Sequence, residues 1–293
     1  MKRCNWCGSE YPDTVEKCPI DAQPLTGGEE PPVIPDPAPG QSAIPHVIPI
    51  EETPTVNRFP PLRLSDRQLR ISEIVLLCAI SFAGSIYYSG LSFLGLKSVS
   101  EMQANRSWTY AGLHELTALG LLWYILLRRS RSLSGLGMSW TKKDFALSAL
   151  IWLLGFGAYC VVYWGIYLAG LTVFSYSAGG ARVGQVLFGG GITFMTFVFQ
   201  FINPFYEELI VRAYVITEIR HLTNSVSKAV IASTLLQMSY HLYQGAPMAF
   251  SSGASFLVFS IYYAKTNRIT PIILAHLYMD LWGTLAFMLH QWR

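Results

Sequence analysis

Residues 186–219 read VLFGGGITFMTFVFQFINPFYEELIVRAYVITEI. The stretch is too apolar for a soluble surface helix and longer than the about 20 residues that cross a bilayer. It reads as a membrane helix, overlong and broken at Pro204, whose ring removes a backbone donor and crowds the preceding turn. Inside it stands Phe205-Tyr206-Glu207-Glu208-Leu209-Ile210-Val211-Arg212. Charged side chains are costly inside a bilayer, so such a cluster is a functional candidate.

Working outward, apolar runs of crossing length also occupy 71–96, 109–127, 145–170, 226–243, 248–264 and 270–290. The fold class is therefore an all-α polytopic membrane protein with about seven transmembrane helices. Basic residues recur in every second connection. Arg63, Arg67 and Arg70 precede the first span, and Arg128, Arg129, Arg131, Lys142 and Lys143 follow the second. Arg220 and Lys228 follow the fourth span, Lys265 and Arg268 the sixth. The alternate connections hold only Lys97 and Arg106, then Arg182, then the QGAP turn. This bias gives an N-terminus inside and a C-terminus outside.

Composition points the same way. Of 293 residues, 52% are hydrophobic and 13% charged, against about 25% charged in a typical soluble domain. The net charge of +3 divides into −3 on residues 1–70 and +6 on the remainder. That excludes a nucleic-acid binder working by bulk charge, a disulfide-rich secreted domain and an ordinary soluble enzyme. Membrane lipids are the expected surroundings, with no nucleic-acid partner.

Ahead of the membrane region lie two smaller segments. Residues 1–26 place Cys4-x2-Cys7 ten residues before Cys18-x2-Asp21, the two-knuckle spacing of a zinc ribbon with a carboxylate in the fourth position. A segment this short buries too little apolar surface to fold unaided, so a structural Zn²⁺ on Cys4, Cys7, Cys18 and Asp21 is expected to stabilise it. Unpaired thiols suit a reducing compartment, which puts this module in the cytoplasm. Residues 27–65 form a linker: ten of the sixteen prolines fall between Pro31 and Pro61, so it should be an extended, disordered tether. The membrane domain is 66–293.

The polar residues of the membrane region follow helical spacing. Glu208 and Arg212 are four apart on one face, acid first, the favoured orientation for an ion pair. Glu207, rotated about 100° away, is left without an obvious cation and becomes the candidate general base. The fifth span supplies His241, and the seventh His276 and Asp280, again four apart. Counting about 1.5 Å per residue from the basic loops, Glu207, His241 and Asp280 lie about 18–20 Å in, Arg212 and His276 about 12 Å. Three helices thus bring polar groups to a common depth, read as the cytoplasmic half of the bilayer. His114 and Glu115 read as bundle-interior contacts, and Gly189, Gly190 and Gly191 as a site of close helix packing.

The order Glu207-Glu208-x3-Arg212, His241 in HLYQG, then His276-x3-Asp280 resembles the CPBP intramembrane protease family, which includes CAAX prenyl endopeptidases and bacteriocin-processing or immunity proteins. The resemblance covers about 145–290. It departs from the family at Gln237, where phenylalanine is usual, and at Asp280, often asparagine. The resemblance implies a glutamate-dependent endopeptidase in a bacterial plasma membrane, cutting a membrane-associated or lipid-anchored peptide or protein near the cytoplasmic half of the bilayer. Glu207 matches the base that activates water, and His241 the residue that holds that water. His276 and Asp280 match the pair at the carbonyl oxygen, with Glu208 and Arg212 in support. Two chemistries stay open: a metal-free site, or zinc held by Glu207, His241, His276 and Asp280, a donor set that suits it. A non-catalytic membrane binding or immunity protein of the same fold is the alternative function.

Overall fold

The computed structural model describes residues 2–4, 10–18, 25–27, 64–96, 107–169, 188 and 191–291. The chain divides into two units, Met1–Leu69 and Arg70–Arg293.

In the first unit, three two-residue strands, β1 (Lys2–Arg3), β2 (Glu10–Tyr11) and β3 (Thr26–Gly27), form an antiparallel sheet in the order β2-β1-β3. Lys2 pairs with Tyr11 on one side and Gly27 on the other. Cys4, Cys18 and Leu25 are buried together, with Tyr11 and Val15 packed against them. The Tyr11 hydroxyl lies 3.5 Å from Cys18 Sγ. Cys7, Asp21 and all but the ends of the 27–65 linker lie outside the described residues.

The second unit is helical: α1 (Asp66–Phe93), α2 (Trp108–Arg128), α3 (Lys142–Leu168), α4 (Phe194–Glu207), a π-helical segment (Glu208–Tyr214), α5 (Val215–Thr223), α6 (Val226–Tyr240), α7 (Ala246–Thr266) and α8 (Thr270–Gln291). Polar side chains set the starts. Ser65 and Gln68 cap α1 reciprocally, Ser107 accepts from the Tyr110 amide, Thr141 and Asp144 form a capping box on α3, and Ser225 accepts from the Lys228 amide. Each satisfies amides that a first helical turn leaves bare. Asn224 and Asn267, both at φ 52°, terminate α5 and α7.

Four helices are long and apolar enough to cross a membrane: α1, α2, α3 and α8 over Thr270–Leu289. Their outer faces are apolar, with Val75, Tyr87, Val161, Trp164 and Leu168 exposed. The remaining expected spans differ for physical reasons. Phe194–Thr223 is one helical run, but it is interrupted by the π segment; the irregularity falls at Glu208–Tyr214, and α4 continues through Pro204. α6 has 15 residues, about 22 Å of helix, less than a hydrocarbon core of about 30 Å. α7 is diluted by Ser251, Ser252, Ser255 and Ser260.

One end of this unit is held by arginines on buried acids. Glu218 of α5 accepts from Arg70 at 2.9 Å and from Arg131, Glu73 of α1 pairs with Arg129 and, at 3.7 Å, Arg128, and Asp144 of α3 pairs with Arg268. The first turns of α1 are thereby tied to α5 and to the loop after α2, and the start of α3 to the connection before α8. Gly137 anchors it: φ is +83°, its carbonyl accepts from the Ile269 amide at 3.1 Å, and a Cβ would lie 1.8 Å from the Asn267 carbonyl oxygen. Gly137→Ala should therefore cost about 2 kcal/mol or more, read as a lowered thermal midpoint in detergent. An unchanged midpoint would contradict this packing. Gly191 does not behave as expected: it has φ +92° with open space around a built Cβ, so it serves the turn into α4 and not close packing, while Gly189 and Gly190 lie outside the described residues.

Candidate active site

Glu207 ends α4 and is 7% exposed. Both carboxylate oxygens are held by amides. Asn203, one turn earlier, donates to Oε1 at 3.3 Å, and Gln237 of α6 donates to Oε2. Among the described residues no arginine or lysine pairs with it; His276 Nε2 lies 4.0 Å from Oε2.

Glu208 opens the π segment and points elsewhere. Its Oε1 meets Arg212 Nη1 at 3.1 Å and His276 Nδ1 at 2.7 Å, with Glu208 and Arg212 fully buried. A π turn inside an α-helix is frequent at functional sites. Here it carries Glu208 and Arg212 onto the buried pair while Glu207 faces the cavity. Arg212 also donates to Gln237 Oε1 and lies with Cζ 4.7 Å from the centre of the Phe256 ring. The Gln237 amide is thus oriented by both partners, its oxygen on Arg212 and its nitrogen on Glu207. It joins the two carboxylates through an uncharged bridge.

His241 follows the last residue of α6. Its Nδ1 donates to the Gln237 carbonyl at 2.9 Å, because a carbonyl can only accept; in the neutral ring that leaves Nε2 as an acceptor. The ring packs among Tyr240, Tyr243 and Phe256. His276 donates from Nδ1 to Glu208 and turns Nε2 toward Asp280 Oδ1 at 3.7 Å. Asp280 is the more open of the pair, its side chain 24% exposed.

Glu207, His241, His276 and Asp280 all line one cavity of about 440 Å³, whose remaining wall is largely aromatic and apolar, including Trp152, Phe156, Trp282 and Met248. A second cavity of about 580 Å³ shares Asn203, Glu207, His241 and Tyr243 and extends to His114, Glu115 and Tyr206. His114 Nε2 donates to the Ser81 carbonyl at 3.1 Å, and Asn203 donates to Glu115 at 2.8 Å. His114 and Glu115 are therefore cavity wall as well as interior contacts.

Asn203 and Gln237 were not singled out as site residues by sequence reasoning. The available signal was spacing: each stands four residues before a candidate catalytic residue, on the same helical face. Both cavities lie on the side of Glu207 away from the arginine-held end. Among the described residues no three His, Cys, Asp or Glu side chains are gathered so as to hold a metal ion. In the first unit, Cys4 and Cys18 come together, while Cys7 and Asp21 lie outside the described residues.

Residues 189–282 match the family model described as type II CAAX prenyl endopeptidase Rce1-like. The matched segment contains Glu207, Glu208, Arg212, His241, His276 and Asp280. The likeness supports a membrane-integral protease, a hydrolase acting on a peptide or protein. No curated protein and no solved structure matches the chain.

Proposed function

We propose that the protein is a glutamate-dependent intramembrane endopeptidase that hydrolyses a peptide bond in a membrane-associated or lipid-anchored peptide, CAAX-type processing being the nearest likeness. What supports the reading is a single observation: an amide-clamped carboxylate and two imidazoles from separate helices share one cavity within a segment that resembles a protease family.

In this mechanism water enters the cavity beside Glu207 and is held by His241 Nε2. Glu207 removes a proton from that water as it attacks the carbonyl carbon, and the new hydroxyl completes a tetrahedral intermediate. His276, as an imidazolium, donates from Nε2 to the developing oxyanion, with Asp280 beside it and Glu208 fixing the far side of the ring. The carbon–nitrogen bond then breaks, and the proton held by Glu207 passes to the leaving amine. Arg212 and Gln237 act through Glu208 and Glu207 and position them. Processing of a membrane peptide by the purified wild type but not by Glu207→Ala tests the proposal. Equal processing or partner protection by both would leave a binding protein of the same fold.

The topology proposed with it is seven crossings, N-terminus in and C-terminus out, in a bacterial plasma membrane with the first unit in the cytoplasm. This rests on the basic bias of alternate connections. Cys4, Cys7, Cys18 and Asp21 would hold a structural Zn²⁺, and the burial of Cys4 beside Cys18 supports two of the four ligands. Elemental analysis should find about one zinc per chain, lost on Cys4→Ser, as a tetrahedral structural site requires. Metal-free wild-type protein would dismiss the site.

A further inference from the structure

A peptide drawn into a largely apolar cavity brings backbone N–H groups that lose their water, at a cost unless something accepts from them. Many peptide-binding domains meet that need with the edge of a sheet. The helical unit has no strand among the described residues, so side chains of the cavity walls have to supply the acceptors. Among the described residues, the amide side chains in those walls are Gln200, Asn203 and Gln244. The Gln244 oxygen accepts from Ser252 at 3.1 Å. Gln200 donates to Thr284, and its oxygen is shut in by packing.

Asn203 differs. It is half-buried in α4, one turn before Glu207, in the wall that the two cavities share. Its nitrogen carries two hydrogens and meets two carboxylates, Glu115 Oε1 of α2 at 2.8 Å and Glu207 Oε1 at 3.3 Å. An ionised carboxylate only accepts, so the pair fixes which way the amide lies: nitrogen toward them, oxygen away. Among the described residues that oxygen takes no hydrogen bond, and it is not one of the polar atoms sealed in the interior. Glu115 is itself buried and has no part in the proton transfers at Glu207.

We propose that Asn203 binds the substrate, its Oδ1 accepting one backbone N–H near the scissile bond, and that Glu115 is the positioning residue that keeps the amide in that orientation. The ligand is an extended peptide main chain, held there whatever side chains it carries. One helical turn separates Asn203 from Glu207, about 5.4 Å, and an extended chain advances about 3.3 Å per residue, so the N–H belongs within about two residues of the bond that is cut. That the peptide is a substrate rests on the endopeptidase reading; that its main chain is held at Asn203 does not.

Binding to the full-length protein in detergent tests this. The probe is a fluorescent farnesylated peptide ending in a CAAX sequence, its bond after the cysteine reduced to CH2–NH so that it binds uncut. In a companion series each remaining amide in turn becomes an ester, which deletes a single N–H. One ester within two residues of the reduced bond should weaken binding to the wild type about 5- to 10-fold, the worth of one hydrogen bond. Asn203→Ala should bind the parent probe more weakly by a similar factor and respond to that ester by about 2-fold or less, since the acceptor is already gone. Glu115→Leu should lose the ester discrimination too, whereas Glu115→Gln should keep it, because a glutamine oxygen still accepts from Asn203. A purely structural role for Glu115 would weaken every probe alike. Discrimination that survives in Asn203→Ala, or a wild type indifferent to every ester, overturns the role of Asn203; discrimination that survives in folded Glu115→Leu overturns that of Glu115. A wild type that does not bind the probe overturns both. Cleavage of the unreduced peptide is scored apart: equal cutting by wild type and Glu207→Gln removes the endopeptidase reading and leaves the ester pattern to decide the rest.

Discussion

Glu207→Gln should lower peptide-bond cleavage by about 10³-fold, within the about 10²–10⁴-fold that a positioned general base contributes, with the protein still folded. The substitution keeps the shape of the side chain and removes its ability to take a proton from water. It also exposes how closely the carboxylate is held. Asn203 and Gln237 both donate to Glu207, and a glutamine there can accept from only one of them with its oxygen. Its amide nitrogen then faces a donor, a loss of about 1 kcal/mol that lowers the thermal midpoint slightly without unfolding the chain. Activity and stability should therefore separate: a large kinetic loss beside a small structural one. Equal losses in folded protein and in rate would mean that Glu207 is structural.

Arg212→Met should have the largest effect on stability. Arg212 and Glu208 are fully buried and 3.1 Å apart, and removing Arg212 breaks a buried pair and leaves Glu208 only His276 as a partner, at a cost of about 3 kcal/mol. The loss also frees the Gln237 oxygen and empties the face of Phe256. Glu208→Gln added to Arg212→Met should cost less than the sum of the two single losses, because both members of one buried pair are then gone and an oxygen still accepts from His276 Nδ1. Thermal unfolding of the three proteins in one detergent reads this directly. Additive losses would show that the pair is not coupled.

Much of the architecture was legible because a bilayer imposes length and composition on every helix. Apolar runs marked α1, α2, α3 and α8 to within a few residues. The π segment was not legible. In a uniformly apolar run such as Leu209 to Val211, side-chain pattern does not distinguish a ladder to the fourth residue from one to the fifth. Glu208 with Arg212 could be read from spacing alone, since one helix carries both. Asn203 and Gln237 were harder, because an uncharged amide carries no conspicuous burial cost. Nor could counting along helices show which side of Glu207 is hollow. That depends on Ile210, Ile216 and Ile272 filling one half, a property of packing between helices. The acids Glu73, Asp144 and Glu218 look like interfacial residues in sequence, and their arginine partners come from stretches distant in the chain.

The most direct test of a glutamate-activated water is to follow its oxygen. Wild-type protein in lipid, incubated with a membrane peptide in oxygen-18 water, should place one heavy oxygen in the newly formed carboxyl terminus, seen by mass spectrometry, while Glu207→Gln leaves the peptide intact. Labelled product formed at the wild-type rate by Glu207→Gln would contradict the account.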